Sequence, residues 1–138
     1  MTVTLRDFMT SEDVLTISAD TTLGQAARRM RTRNVGAAVV VEDERIVGIF
    51  TERDLLRAIA DSRHPDQATV RTYMTPNPVT LPPSHSPSEA AQIMSERRFR
   101  HIPVVEGGRL VGVVSIRDLM SAGLQLPERE AHPGSDFP

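Results

Sequence analysis

Apolar residues fall on one side of a predicted helix early in the chain. A short strand over residues 13–17 leads into it. The helix begins at Thr22, where Gln25 completes a capping-box pattern. It ends near Asn34-Val35-Gly36, because Asn and Gly favour the left-handed backbone of a helix C-cap. Its apolar positions follow the spacing i, i+3, i+4 and i+7 and are Leu23, Ala26, Ala27 and Met30.

Two further strands and a second helix are predicted to follow. The run at 37–41 is entirely apolar, which predicts a strand buried on both faces, and 45–50 predicts the next strand. The tight turn between them is centred on Asp43-Glu44, and a turn this short predicts antiparallel pairing. A closing helix is predicted from Thr51 to about Asp61.

The same order of elements returns 64 residues later. The stretch Gly48-Ile49-Phe50-Thr51-Glu52-Arg53-Asp54 reappears as Gly112-Val113-Val114-Ser115-Ile116-Arg117-Asp118, an offset of 118 − 54 = 64. Ser86 and Pro87 begin the first helix of the second copy, and Gly107-Gly108 is a strong hairpin signal between its strands at 101–105 and 109–114. Its closing helix is predicted from Ser115 to about Ala122. Phe8-Met9-Thr10 matches Tyr73-Met74-Thr75 when the offset grows by one.

This duplication predicts the domain organisation. We expect one repeat at residues 1–62 and a second at 71–122, joined by a linker at 63–70. Residues 123–138 hold prolines and no apolar period, which predicts a disordered tail.

Each closing helix begins with a hydroxyl residue that an aspartate follows three positions later. In a capping box, Asp54 or Asp118 reaches back to the backbone of Thr51 or Ser115. The same arrangement can bind an anion, because a helix N-terminus offers unpaired N–H groups and about half a positive charge. The aspartate could then accept hydrogen bonds from the two hydroxyls of a ribose. A single box is usually a cap, and the duplication is what favours a ligand site.

Composition narrows the function classes. The chain has 138 residues, of which 39% are hydrophobic and 25% charged, as is typical of a globular protein. Its net charge of −2 gives no bulk attraction to nucleic acid or to anionic membranes. The absence of cysteine excludes disulfides, thiolate catalysis and cysteine-ligated metal. We expect a cytoplasmic protein, because no apolar run approaches the roughly 18 residues that span a bilayer.

Other candidate chemistry is poor. The four histidines lack metal-ligand spacing, so neither a metal nor a cofactor is expected. No activated nucleophile or acid–base pair stands out, which argues against an enzyme and leaves no catalytic residue to name. A basic cluster could be a nucleic-acid patch or a solvated helix face, and the solvated face is favoured because no aromatic residue is interleaved. The cluster consists of Arg28, Arg29, Arg31 and Arg33.

The ordered set of short motifs resembles a CBS domain pair, also called a Bateman module, over about residues 5–122. The motifs are Asp7-Phe8-Met9-Thr10, Tyr73-Met74-Thr75-Pro76, Arg100-His101-Ile102-Pro103-Val104-Val105 and the two Gly-to-Asp stretches. The resemblance implies an α/β fold of two tandem β-α-β-β-α repeats packed as a pseudo-two-fold pair. It also implies a regulatory module that binds an adenosine-containing ligand such as AMP, ADP, ATP or S-adenosylmethionine between the repeats.

The resemblance implies a first ligand site built from both repeats. Thr51 would contact phosphate and Asp54 the ribose, while Val79 and Ile102 would enclose the adenine. Arg100 and His101 would face the phosphates, with a solvated strand start as the alternative interpretation. The predicted set is Thr51, Arg53, Asp54, Val79, Arg100, His101 and Ile102.

A second site would use the other closing helix. Its predicted residues are Ser115, Arg117 and Asp118, with Leu15, Ala37 and Ala38 from the first repeat. The basic pair is missing here, since Gly36-Ala37 stands where the second repeat has Arg100-His101. We therefore expect the first site to bind a nucleotide more tightly.

The resemblance also implies a homodimer with helices at the contact. Candidate contact faces are Leu55, Leu56 and Ile59 on one helix and Leu119 and Met120 on the other, with core packing as the alternative. No catalytic or DNA-binding domain is recognisable, so we expect the signal to pass to an unidentified effector protein or through the chain's own oligomer. The competing hypothesis is an interaction module without a ligand, in which both aspartates act only as caps.

Overall fold

The computed structural model describes residues 3–11, 14–121 and 123. Its contacts divide them into two compact units. We call residues 14–78 the central unit, and residues 3–11 with 79–121 the split unit, because the latter is assembled from two separate stretches of chain. Each unit has its own hydrophobic core.

The central unit is a mixed sheet with helices packed against it. Its strands are β1 (Thr16–Ile17), β2 (Ala37–Glu42), β3 (Arg45–Thr51) and β4 (Thr75–Pro76), and its helices are α1 (Leu23–Arg33), α2 (Glu52–Ala60) and α3 (Val70–Tyr73). The strands lie in the order β1-β2-β3-β4. β1 runs parallel to β2, and the two other pairs are antiparallel.

Local sequence explains why α1 forms where it does. The Thr22 hydroxyl accepts from the Gln25 amide, and the Gln25 side chain accepts from the Thr22 amide, each at 3.1 Å. This reciprocal box satisfies amides that the first turn leaves free. Asn34 ends the helix with φ 55, the left-handed C-cap that the sequence predicts. The face predicted to be apolar is turned inward, with Leu23, Ala26 and Met30 buried against Val40 and Phe50.

The split unit repeats the strand and helix order around a second core. Its elements are a 3₁₀ helix at Leu5–Asp7, α4 (Pro87–Arg97), β5 (His101–Glu106), β6 (Arg109–Ser115) and α5 (Ile116–Ser121). β5 and β6 pair antiparallel, and Leu81 bridges to Val104 in parallel, as β1 does to β2. The two hairpins also share a register shift, at Val40/Val41 and at Val104/Val105.

Residues 3–11 in the split unit and residues 70–78 in the central unit occupy equivalent places. Thr10 bridges to Val113 of β6, and Thr75 pairs with Ile49 of β3. A Cβ added at Gly112 would lie 2.8 Å from the Thr10 carbonyl oxygen. One added at Gly48 would lie 3.1 Å from the Thr75 carbonyl oxygen and 2.5 Å from the Met74 sulfur. The glycine that opens each Gly-to-Asp stretch is therefore explained by the close approach of another backbone.

These segments make the units differ from the predicted division of the chain. Residues 3–11 belong to the predicted first repeat but pack in the split unit, and residues 71–78 belong to the predicted second repeat but pack in the central unit. Each segment adds backbone pairing to the third strand of its unit, which accounts for its place there. The predicted boundaries at 1–62 and 71–122 stay a prediction about the sequence repeats, as does their packing as a pseudo-two-fold pair.

Exposure separates core from surface on the closing helices. Leu55 packs partly against the core, and Leu119 is buried, so core packing accounts for both. Leu56 is 65% exposed and Ile59 62% exposed on α2, and Met120 is exposed on α5.

Some predictions fall outside the described residues. These are Asp13 at the start of the first predicted strand, Ala122 at the end of the last predicted helix, and the predicted tail apart from Gly123. Among the residues that are described, no helix is long and apolar enough to cross a membrane.

Candidate functional site

Both predicted capping boxes are present, and their hydroxyls act differently. Asp54 Oδ2 lies 2.8 Å from the Thr51 amide nitrogen, and Asp118 Oδ2 lies 2.8 Å from the Ser115 amide nitrogen. The Thr51 hydroxyl donates to the same Asp54 oxygen at 3.3 Å, whereas the Ser115 hydroxyl accepts from the Asp118 amide at 3.0 Å. Each aspartate is thus fixed at the start of its helix by its own backbone.

Asp54 is a buried carboxylate. It is 1% exposed, and burial raises its pKa above the usual aspartate value. The Thr51 amide opposes this rise in pKa, as does the positive charge of Arg57. Arg57 Nη1 donates to Asp54 Oδ1 at 3.1 Å, so both oxygens of this carboxylate have partners within α2 and its cap. Sequence reasoning missed Arg57, although its i+3 spacing from Asp54 is a recognised signal for an ion pair.

The start of α5 lies beside an imidazole ring. His101 is the register partner of Ser115 across the β5–β6 pair. Its Nδ1 atom is buried without a hydrogen-bond partner. Burial lowers the pKa of His101 to about 4; the nearby Asp118 carboxylate opposes this, while Arg100 and Arg117 reinforce it. The ring is therefore neutral at pH 7 and stands among three charged side chains.

The central unit has no ring at the equivalent place. Ala37 is the register partner of Thr51, as His101 is of Ser115. A methyl group therefore stands beside the α2 start where the split unit carries an imidazole. The sequence predicts this asymmetry, and the registers confirm that the two positions are equivalent.

The remaining predicted residues lie partly in the cores and partly at the surface. Leu15 and Ala38 belong to the core of the central unit, and Ile102, which is 0% exposed, to that of the split unit. Val79 and Arg53 are half-buried, and Arg100 and Arg117 are exposed. Their assignment to two shared ligand sites stays a prediction.

The central unit also contains a cluster of charged side chains around Tyr73 that was not predicted from the sequence. The Tyr73 hydroxyl donates to Asp61 Oδ2 at 2.8 Å. The guanidinium carbons of Arg57 and Arg63 each lie 5.8 Å from the centre of the Tyr73 ring. Because Arg57 also bonds Asp54, the cluster connects α3 to the start of α2.

A polar cleft of ≈ 400 Å³ lies elsewhere on the central unit, at the end of β1. Its lining residues are Thr16, Ile17, Ser18, Asp20, Thr21, Gln25, Arg29 and Val41. None of them belongs to the predicted ligand sites. Within the described part of the chain, no three His, Asp or Glu side chains come close enough together to hold a metal ion.

Known proteins with sequences similar to this chain contain CBS domains. The profile of the family described as "CBS domain" matches residues 5–61 and 70–125. CBS domain-containing protein YhcV of Bacillus subtilis is 37% identical over 116 residues, which cover 83% of this chain and 81% of that protein. CBS domain-containing protein CBSCBSPB3 of Arabidopsis thaliana is 36% identical over 123 residues, 88% of this chain but 22% of that protein. The chain thus spans about a fifth of the length of the Arabidopsis relative.

Solved structures show the same fold. The CBS-domain containing protein ATU1752 of Agrobacterium tumefaciens has a TM-score of 0.79 and 36% identity, over 88% of this chain and 100% of that chain. The CBS domain pair of protein MJ0100, solved in complex with 5′-methylthioadenosine and S-adenosyl-L-methionine, has a TM-score of 0.79 and 23% identity. That match covers 89% of this chain and 97% of that chain.

Proposed function

We propose that this chain, which belongs to the CBS domain family, senses an adenosine-containing ligand. Its two CBS domains in tandem form a regulatory module. The ligand class comprises AMP, ADP, ATP and S-adenosylmethionine. The chain would then signal ligand binding to an effector protein. The chain would act by binding, without catalysing a reaction.

The observation that carries this proposal is the duplicated aspartate at a helix start. A carboxylate has about four acceptor positions. The cap amide takes one of them on Asp118, whereas the cap amide, the Thr51 hydroxyl and Arg57 take three on Asp54. The positions left on Asp118 suit the paired hydroxyls of a ribose, which are hydrogen-bond donors, and a ribose at Asp54 would replace the contacts of Arg57 and the Thr51 hydroxyl. The complex of MJ0100 with two adenosine compounds supports this choice of ligand, because that protein shares the fold.

The basic residues suit the phosphate part of a nucleotide. Arg100, His101 and Arg117 surround the start of α5, and the neutral His101 ring can donate one hydrogen bond to a phosphate oxygen. Arg53 would serve the same purpose near α2. Only the split unit has an imidazole at its helix start. A ligand with phosphate and a ligand without it should therefore differ in whether Asp54 or Asp118 contributes more to binding.

Ligand binding is tested by measuring the thermal stability of the chain with AMP, ADP, ATP, NAD and S-adenosylmethionine. A ligand present at 100 times its Kd should stabilise the fold by about 2.7 kcal/mol. Asp54→Asn and Asp118→Asn each keep an oxygen for the cap but lose charge and acceptor capacity. Calorimetry should show that each weakens binding at its site by about tenfold to a hundredfold, because hydrogen bonds to charged groups contribute roughly 1.5–3 kcal/mol.

The matched control is Asp66→Asn, which removes an exposed aspartate that lies outside the predicted sites. Its affinity should equal that of the unchanged protein. The expectation that the first site is tighter predicts a greater loss of affinity for Asp54→Asn. The position of His101 beside Ser115 predicts instead that phosphate-bearing ligands lose more affinity in Asp118→Asn, so the two variants decide between these expectations. A flat thermal response to all five compounds would instead favour an interaction module in which both aspartates are only caps.

We also propose a homodimer that forms through the exposed side of α2. Leu56 and Ile59 are three positions apart, so they stand on the same side of the helix and expose apolar surface. Burying such surface is the usual driving force for association. Sedimentation velocity should show a dimer that Leu56→Glu converts to a monomer. A control change at Arg45, exposed on β3, should leave the dimer intact.

A further inference from the structure

The solvent-facing side of α1 carries four arginines, which we call the α1 arginine face: Arg28, Arg29, Arg31 and Arg33. All four are exposed, and α1 contains no acidic residue. None of them forms a hydrogen bond or an ion pair with another described residue. The opposite side of the helix is buried in the core, so the arginines lie on its solvent side.

The repeat fold does not require this face. The positions 64 residues later on α4 are Gln92, Ile93, Ser95 and Arg97, so only one of them is basic. On α4, Gln92 Nε2 donates to Glu96 Oε1 at 3.0 Å, a favourable pair at i, i+4. On α1 the same spacing joins Arg29 to Arg33, and like charges at this spacing destabilise a helix. The arginines are therefore better explained by a partner than by folding.

The polar cleft borders this face. Arg29 and Gln25 of α1 form one side of it, and hydroxyl residues of β1 and the following turn form the other. Two acidic residues lie nearby, and Arg71 bonds both of them, Asp20 at 3.4 Å and Glu42, so its single charge offsets one of the two negative charges. Arg29 balances the remaining negative charge, so the excess positive charge beside the cleft lies on Arg28, Arg31 and Arg33.

The backbone at the start of α1 cannot supply this recognition. The Leu23 amide donates to the Ala68 carbonyl at 3.0 Å, and the Gly24 amide donates to the Pro65 carbonyl at 2.9 Å. The Gln25 amide is held by Thr22. Binding must therefore come from side chains. A guanidinium presents a planar fork of donors that matches a carboxylate with two hydrogen bonds.

We propose that the α1 arginine face and the adjoining cleft dock an acidic segment of an effector protein, with its carboxylates against the arginines and its polar backbone along the cleft. A polypeptide is favoured over a nucleic acid because the aromatic residues of the central unit, Phe50 and Tyr73, are both buried and leave no ring for base stacking. The net charge of −2 also disfavours a long polyanion. This inference goes beyond the proposed ligand sensing and does not depend on nucleotide binding.

The test uses the full chain and a fluorescein-labelled peptide of about eight residues, half of them glutamate, followed by anisotropy at low salt, where charge interactions are least screened. Arg29→Gln with Arg33→Gln should weaken binding by about tenfold, since tenfold is the loss expected from removing one well-made charged contact. The control is Arg97→Gln with Arg109→Gln, an equal change in net charge on exposed residues of the split unit. It should stay within about twofold of the unchanged chain. Thermal unfolding confirms that each variant is folded.

A neutral variant separates the cleft from general charge attraction. Thr16→Trp fills the cleft without changing the charge, and it should weaken the peptide about as much as the arginine pair does. Equal losses in the arginine pair and its control would overturn the proposal, as would an unchanged affinity in Thr16→Trp. Tighter binding of an RNA oligonucleotide or of phosphatidylserine vesicles than of the peptide, lost with Arg29 and Arg33, would also overturn it by assigning the face to another class of partner.

Discussion

Single residues determine how alike the two repeats are at their helix starts. Position 101 is the clearest case. The imidazole of His101 lies beside Ser115, whereas the equivalent residue beside Thr51 is Ala37, which has only a methyl group. The side chain is half-buried, and its Nδ1 atom is buried with no hydrogen-bond partner among the described residues, so protonating the ring would place a charge where water solvates it poorly. The difference should therefore affect the stability of the split unit.

His101 should make the free energy of unfolding depend on pH. Its pKa is about 4 in the folded chain against 6.5 when exposed, so the unfolded chain binds the proton more tightly. The full stability should be present above pH 6.5 and be lost progressively as pH falls from 6.5 towards 4, by up to roughly 3 kcal/mol. Urea unfolding at several pH values measures this loss.

The variant His101→Gln isolates this effect from other titrating groups. Buried Asp54, for example, has a pKa raised above 3.8, so its contribution to stability has the opposite sign: it is fully present below pH 3.8 and is lost as pH rises through the raised pKa of the folded chain. The difference between the unchanged chain and His101→Gln should vary with pH in the window stated for His101. A constant difference would show that His101 is not buried in its neutral form.

Elements with a long period or a strong cap could be predicted from the sequence, and short ones could not. The pattern predicted α1 and α4 correctly because each combines a hydroxyl cap with inward-facing apolar positions. It missed α3, whose four residues are too few for a period to show. The place of α3 is set instead by distant contacts, since the Val70 amide donates to the Thr21 carbonyl at 2.9 Å.

The same distinction applies to the candidate site. The spacing of Thr51 and Asp54 was enough to predict the cap, because a capping box depends only on neighbours in the sequence. The burial of Asp54, the unpartnered nitrogen of His101 and the cleft beside Arg29 depend on tertiary packing. No local pattern carries that information.

The β2–β3 turn is strained in a way that its counterpart is not. Asp43 and Glu44 have φ values of 49 and 64, while the equivalent Gly107 and Gly108 have 59 and 78. Residues with a Cβ are disfavoured in this left-handed region, and Asn-Gly is the preferred pair. Asp43→Asn with Glu44→Gly should therefore stabilise the chain by about 1 kcal/mol. A higher urea midpoint with an unchanged slope measures this gain.

The reverse exchange is the control for the turn. Gly107→Asp with Gly108→Glu should lower the midpoint by a similar amount, because it moves the strain into the β5–β6 turn. If neither exchange changes the midpoint, the backbone of these turns does not limit stability.

At the scale of the whole molecule, the compact units do not follow the order of the sequence. Leu5 is 0% exposed and lies in one core with Leu81, Met94 and Ile102, although about 75 residues of chain separate it from the nearest of them. Its amide donates to the His85 carbonyl at 2.9 Å. The first described residues are thus a structural part of the split unit.

Leu5→Ala should destabilise the split unit. Removing a buried leucine side chain costs about 2–5 kcal/mol because a cavity remains. Hydrogen exchange should show lost protection at residues 79–121, with a smaller loss at residues 14–78. The matched control is Val3→Ala, a truncation at a half-exposed position, which should leave exchange nearly unchanged. Equal loss in both units would contradict the division described above.

The order in which a ribosome makes this protein gives the split unit a delay that the central unit lacks. Residues 14–78 can close their core once the last of them has emerged, but Leu5 must wait until residues up to 121 are made. At about 5–20 residues per second, the synthesis of residues 79–121 adds a few seconds to this wait. For that time the nascent chain presents an apolar stretch, including Leu5 and Met9, to the surrounding solvent. Slow codons between residues 79 and 121 would lengthen the interval, and chaperones that hold apolar segments would act there.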